Sequence, residues 1–119
     1  MAFADASPRK IMEASHPINV VLAGAVKMGD PITYNSGWKK AVAATATVVL
    51  IAARDGASGE TIEAYHSAVI TGFTDATAGN PVFLADAGAY AGGSTGKRVG
   101  VYLTATEAFV GPLNLPLNV

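Results

Sequence analysis

The sequence predicts an all-β protein: a compact β-barrel or two-layer β-sandwich built from two similar halves, preceded by an irregular N-terminal arm. Three observations carry this. From Ile18 onward, short runs rich in Val, Ile, Thr and aromatic residues alternate with turns of Gly, Asn, Asp and Pro, the pattern of short strands in a sandwich or barrel. No stretch after the arm has the apolar spacing of a long amphipathic helix. A turn-and-strand unit also occurs twice. Two units are too few for a solenoid, so the expectation is one closed body in which each half covers the other's apolar face.

Residues 1–17 form the arm. They hold Asp5, Arg9, Lys10 and Glu13 without strand-like alternation, and Pro17 closes the segment. Ser7 followed by Pro8 suits a single helical turn with Pro8 at its first position. A helix that short is marginal alone, so the arm is expected to order against another molecule. Pro8, Arg9, Lys10, Ile11 and Met12 are its candidate contact residues. The β domain then runs over 18–119. Strands are expected at 18–23, 31–34, 38–42, 47–53, 61–66, 68–73, 81–84, 98–103 and 108–110. Asn35-Ser36-Gly37 is a tight turn, since Asn and Gly tolerate positive φ. Residues 87–96 read as a glycine-rich loop.

The repeat divides the domain into halves at about 18–67 and 68–111. Gly29-Asp30-Pro31-Ile32 recurs as Gly79-Asn80-Pro81-Val82, 50 residues later. Val20 matches Ile70, Val49 matches Val99 and Ile51 matches Val101 at the same spacing. Glu60-Thr61-Ile62 aligns with Glu107-Ala108-Phe109 at a spacing of 47. The shared turn has a physical logic. Gly permits the sharp bend, and Asp or Asn bonds a nearby backbone N–H. Pro fixes φ and opens a strand where no ladder donor is needed.

Composition narrows function. The chain has 119 residues, which fits one domain. Charged residues make up 14%, against roughly 25% for ordinary soluble domains, so part of the surface is expected to lie against a partner. The formal net charge of -1 gives no basic excess for a nucleic-acid backbone. The apolar run over 48–53 is far short of the ~20 residues of a membrane span, and no apolar core near Met1 marks a secretory signal. No partner of nucleic acid or membrane is therefore expected. With no cysteine there are no disulfides and no thiolate metal sites.

Candidate chemistry is sparse. His16 and His66 have no second histidine or carboxylate at metal-ligand spacing. His66 with Asp55 or Asp75 and a serine is an imaginable triad, but a surface histidine is the simpler reading. Gly92-Gly93-Ser94-Thr95-Gly96-Lys97 is followed by Arg98 and a strand, where a phosphate loop needs Ser or Thr and a helix. No enzyme, cofactor or metal is expected. Trp38, the single tryptophan, reads as a cross-strand residue or an interface anchor. The 111–119 tail alternates apolar residues with Asn and Pro, so Leu113, Leu115 and Leu117 are expected to pack on a neighbouring subunit.

The order of these elements carries a resemblance. Gly29-Asp30-Pro31-Ile32 runs into Trp38, and an apolar stretch precedes Ala57-Ser58-Gly59-Glu60. Ala68-Val69-Ile70-Thr71-Gly72-Phe73, Ala78-Gly79-Asn80-Pro81-Val82-Phe83-Leu84-Ala85 and Arg98-Val99-Gly100-Val101-Tyr102-Leu103 follow. Over residues 18–110 the chain resembles the small capsid decoration, or cement, proteins of tailed bacteriophages. The resemblance implies a β-rich virion protein without catalytic residues. It implies binding to major capsid protein on the outer surface of an assembled head, commonly as a homotrimer, and strengthening of the shell against genome pressure. The alternative expectation is a carbohydrate-binding or fibre-head module using Trp38, Tyr34, Tyr65, Tyr90 and Tyr102.

Overall fold

In a computed structural model the chain is described over residues 4–41, 49–85, 89–92 and 97–111. It is an all-β body, an antiparallel sheet curled into a half-barrel. The nine strands are β1 (Ala4–Val21), β2 (Pro31–Tyr34), β3 (Trp38–Lys40), β4 (Leu50–Ala52), β5 (Thr61–Thr74), β6 (Pro81–Leu84), β7 (Tyr90–Ala91), β8 (Arg98–Tyr102) and β9 (Glu107–Val110). Their order is β3-β2-β4-β5-β9-β8-β6-β7, with β1 on the other side of β5.

β5 is the spine. One edge pairs with β1 along its whole length, from Ala4 opposite Thr74 to Val21 opposite Thr61. The other edge is shared, with β4 at Ala64 and Tyr65 and β9 at 68–71. The break expected between 66 and 68 does not occur, because Ser67 pairs with Ser15 and carries the strand through. The boundary between the halves therefore falls inside one continuous strand.

The arm is redrawn as well. Over 4–17 it is neither helical nor separate, but the first part of β1. Register shifts between Asp5 and Lys10 and between Ile11 and Glu13 absorb the extra residues around Pro8, as bulges do. Pro17 is tolerated because β1 has a partner on one side only among the described residues. The prolines that read as breaks are compatible with an edge strand, whose partner residues run from Val21 opposite Thr61 to Ala4 opposite Thr74, far along the chain. Tyr90 and Ala91 likewise form a short strand inside the stretch read as loop.

The repeat is visible in the hydrogen bonds. Gly29 N–H donates to Ala52 O and Gly79 N–H to Tyr102 O, while Ala52 N–H returns to Asp30 O and Tyr102 N–H to Asn80 O. All three pairs of equivalent residues, 29 and 79, 30 and 80, 52 and 102, are 50 apart. The spacing of 47 expected for the third strand is corrected. Ile51 opposes Tyr65 and Val101 opposes Phe109, so Tyr65 corresponds to Phe109 at a spacing of 44. An odd spacing would swap the faces of the sheet, setting buried Ile62 on partly exposed Phe109.

Each half has its own apolar cluster. The first gathers Val20, Leu22, Val26, Ile32, Leu50, Ala52, Ile62 and Ala64, with Trp38 packed against it. The second gathers Ile70, Phe73, Val82, Leu84, Tyr90, Val99, Tyr102, Ala108 and Val110, and takes Ala41, Val49 and Ile51 from the first half. β4 links them, because successive strand residues point to opposite faces: Leu50 and Ala52 enter one cluster, Ile51 the other. The second cluster is aromatic. Phe73 meets Tyr90 and Tyr102 edge-on at 5.9 and 5.5 Å, a geometry worth ~0.5–1.5 kcal/mol per pair beyond burial. Gly100 permits β8 to close on β9, since a Cβ there would lie 2.0 Å from Phe109 O.

Candidate functional site

The surface with most to offer a partner is the outer edge of β1. Among the described residues its only strand partner is β5, so much of the other edge presents unpaired N–H and C=O groups. Met12, Ile18 and Val21 are 58%, 48% and 59% exposed. At its end the chain closes against β3: Leu22 bridges Trp38 in parallel, and Ala23 N–H donates to Trp38 O at 2.7 Å.

The expected contact residues divide sharply. Lys10 and Met12 are exposed, and Pro8 lies in β1 within the first register shift. Ile11 packs against the second cluster. Arg9 turns inward and is 7% exposed. It forms an ion pair with Asp30 at 2.5 Å, and its guanidinium carbon sits 5.1 Å from the centre of the Tyr90 ring. Tyr90 Oη donates to Gly29 O at 2.9 Å, and Lys27 N–H donates to the other Asp30 oxygen at 2.9 Å. Gly29, at φ +84°, is needed here twice: for the turn, and because a Cβ would meet Arg9 Cβ at 2.9 Å. Arg9 thus clasps the N-terminal strand to the first half's turn and to a strand of the second half. It is removed from the contact set, because a buried charge keeps its partner at high cost.

Trp38 is half-buried, meets Tyr34 edge-on at 5.5 Å and packs on the first cluster, so it closes the body more than it projects from it. Leu113, Leu115 and Leu117 lie outside the described residues. His66 is exposed on β5, and among the described residues no three of His, Cys, Asp and Glu are grouped to hold a metal ion. Among the described residues no helix is long and apolar enough to cross a membrane.

The sequence placed Asp30 in a turn and Tyr90 among candidate sugar-stacking rings, and did not bring either to Arg9. One signal was present. The repeat carries Asp in one turn and Asn in the other, and the charged copy is the one that meets a cation. No protein-family model matches the chain, and no curated protein matches it.

Proposed function

We propose that the protein is a structural component of a tailed-phage particle. It binds the outer surface of the assembled capsid, as a homotrimer, and stabilises the shell by bridging major capsid subunits. The observation that supports this is the edge of β1, a strand of 18 residues with a partner on one side and Met12, Ile18 and Val21 exposed along it. Pro8, Pro17 and the two register shifts interrupt that edge, which limits indiscriminate strand pairing and leaves short segments for a matched partner. Several such contacts per oligomer act at high effective concentration, each holding a junction that pressure would open.

Cryo-electron microscopy of particles made by a phage encoding this chain tests the reading. Added density at symmetry-related positions on the outer shell is expected; its absence there ends the proposal. Met12→Asp with Ile18→Asp is expected to weaken binding to undecorated heads. Deleting residues 1–17 is a poor test, since it removes Arg9 and most of β1, leaving only Ile18–Val21 of the strand.

A glycan-binding module is the alternative. Tyr90 and Tyr102 are each 2% exposed, so neither can stack on a sugar. Tyr34, 58% exposed beside Trp38, favours what remains of it, although the two rings stand at 77° and make no flat platform. Glycan-array binding abolished by Tyr34→Ala would select this reading.

A further inference from the structure

The two halves differ most in one loop. Ala53 N–H donates to Glu63 O, and the equivalent Leu103 N–H donates to Glu107 O. The first closure spans nine intervening residues and the second three, so the first half carries six extra. In repeated architectures, extra residues of this kind map to loops that often form a binding face.

The longer loop is tied down. Gly56 exchanges both backbone hydrogen bonds with Val26, at 2.9 and 3.0 Å. Asp55 Oδ1 accepts from Met28 N–H at 2.8 Å, and Glu60 Oε1 accepts from Ala57 N–H at 2.7 Å. Leu22 N–H donates to Glu60 O, and Gly59 N–H to Leu22 O, both at 2.8 Å. Between this loop and the 25–27 segment lies an open cleft of about 480 Å³. Buried Val26 and the methyl of Ala57 line it, with Lys27, Lys40 and Arg54.

The charges in the cleft are unevenly committed. Asp55 and Glu60 each use a carboxylate oxygen on a backbone N–H. Arg54 is held by Asp55 O and Thr61 O, each at 3.0 Å, which fixes its charge in place without neutralising it. The ammonium groups of Lys27 and Lys40 have no acceptor among the described residues, and no ion pair joins these five side chains there. Uncommitted donors therefore flank an apolar lining.

We propose that this cleft docks an acidic peptide segment of a partner protein, taking a Glu or Asp side chain between Lys27, Lys40 and Arg54 with small apolar neighbours against Val26 and Ala57. Three cations against two carboxylates suit one incoming carboxylate. They do not suit a polyphosphate backbone, which needs an extended basic surface. The proposal does not depend on the partner being a capsid.

The test is a heteronuclear NMR titration of the full chain with a capped peptide carrying two glutamates among alanines and valines, and with its glutamine twin. The glutamate peptide is expected to give saturable shifts at the amides of Val26, Lys27, Lys40 and Gly56. The glutamine twin, and Lys27→Gln with Lys40→Gln, are each expected to weaken binding about tenfold. Raising salt from about 50 to about 500 mM should weaken it further. Unchanged Leu22 and Gly59 amides confirm that the variant keeps its loop. Equal binding of both peptides, shifts centred on 75–77 and 103–106, or no shift at all would overturn the proposal. Concentration-dependent shifts of the same amides without peptide would assign the cleft to a second copy and overturn it too.

Discussion

The two Gly-Asx-Pro turns share a backbone and differ in everything around it. Gly29 and Gly79 sit at φ +84° and +90°, and each makes the same hydrogen bond to its neighbouring strand. Yet Gly29, Asp30 and Pro31 are buried, whereas Gly79 and Asn80 are exposed. The difference comes from afar. Arg9 arrives on β1 and Tyr90 on β7, and they cover one turn and not the other. Local chemistry sets the bend, and distant partners decide whether the bend becomes core.

The largest way to break that comparison is to give the first turn the second turn's residue. Asp30→Asn takes the Asp30 carboxylate away from the buried Arg9 guanidinium and is expected to cost ~3–5 kcal/mol in urea unfolding. Arg9→Met combined with Asp30→Leu should recover most of the loss, because no lone charge remains inside. A cost below about 1 kcal/mol for Asp30→Asn would show that water reaches the pair.

The second break is at position 50 of one half and 100 of the other. Leu50 fits a full side chain into the first cluster, while its counterpart Gly100 has no room for a methyl. Gly100→Ala is expected to destabilise by about 3 kcal/mol, read from the unfolding midpoint. A near-neutral result would mean that β8 and β9 separate easily.

Smaller changes sharpen the comparison. Tyr90→Phe removes the donor to Gly29 O and should cost about 1–2 kcal/mol, with faster amide exchange at Gly29 than at Gly79. Asn80→Asp makes the reverse swap on the exposed turn and is expected to stay within ~0.5 kcal/mol. A larger effect would reveal a partner for that turn.

The legible part of the fold was the local part. Turns at 35–37 and 78–80, and strands at 31–34 and 81–84, follow from glycine, proline and β-branched residues acting on their own backbone. β1 was not legible over 4–17, because Pro8, Pro17 and scattered charges resemble a break until β5 lies beside them. Arg9 read as a contact residue of the arm because its carboxylate is 21 residues away and its aromatic neighbour lies in the other half. The cleft at Lys27 and Lys40 needed the correct spacing of the repeat, which a strand ladder reports and a weak alignment of small residues does not.

By itself, the sequence determined the all-β class, the duplicated turn-and-strand unit and the position of its sharp bends. These depend on φ, side-chain branching and alternation, which act within a few residues. The tertiary structure alone decided that the arm is an edge strand, that β5 joins the two halves, and that Arg9 is buried while Met12 is exposed. Those outcomes depend on which strand edges and charges meet across the sheet, and pairings at long separation are not encoded in any single stretch of chain.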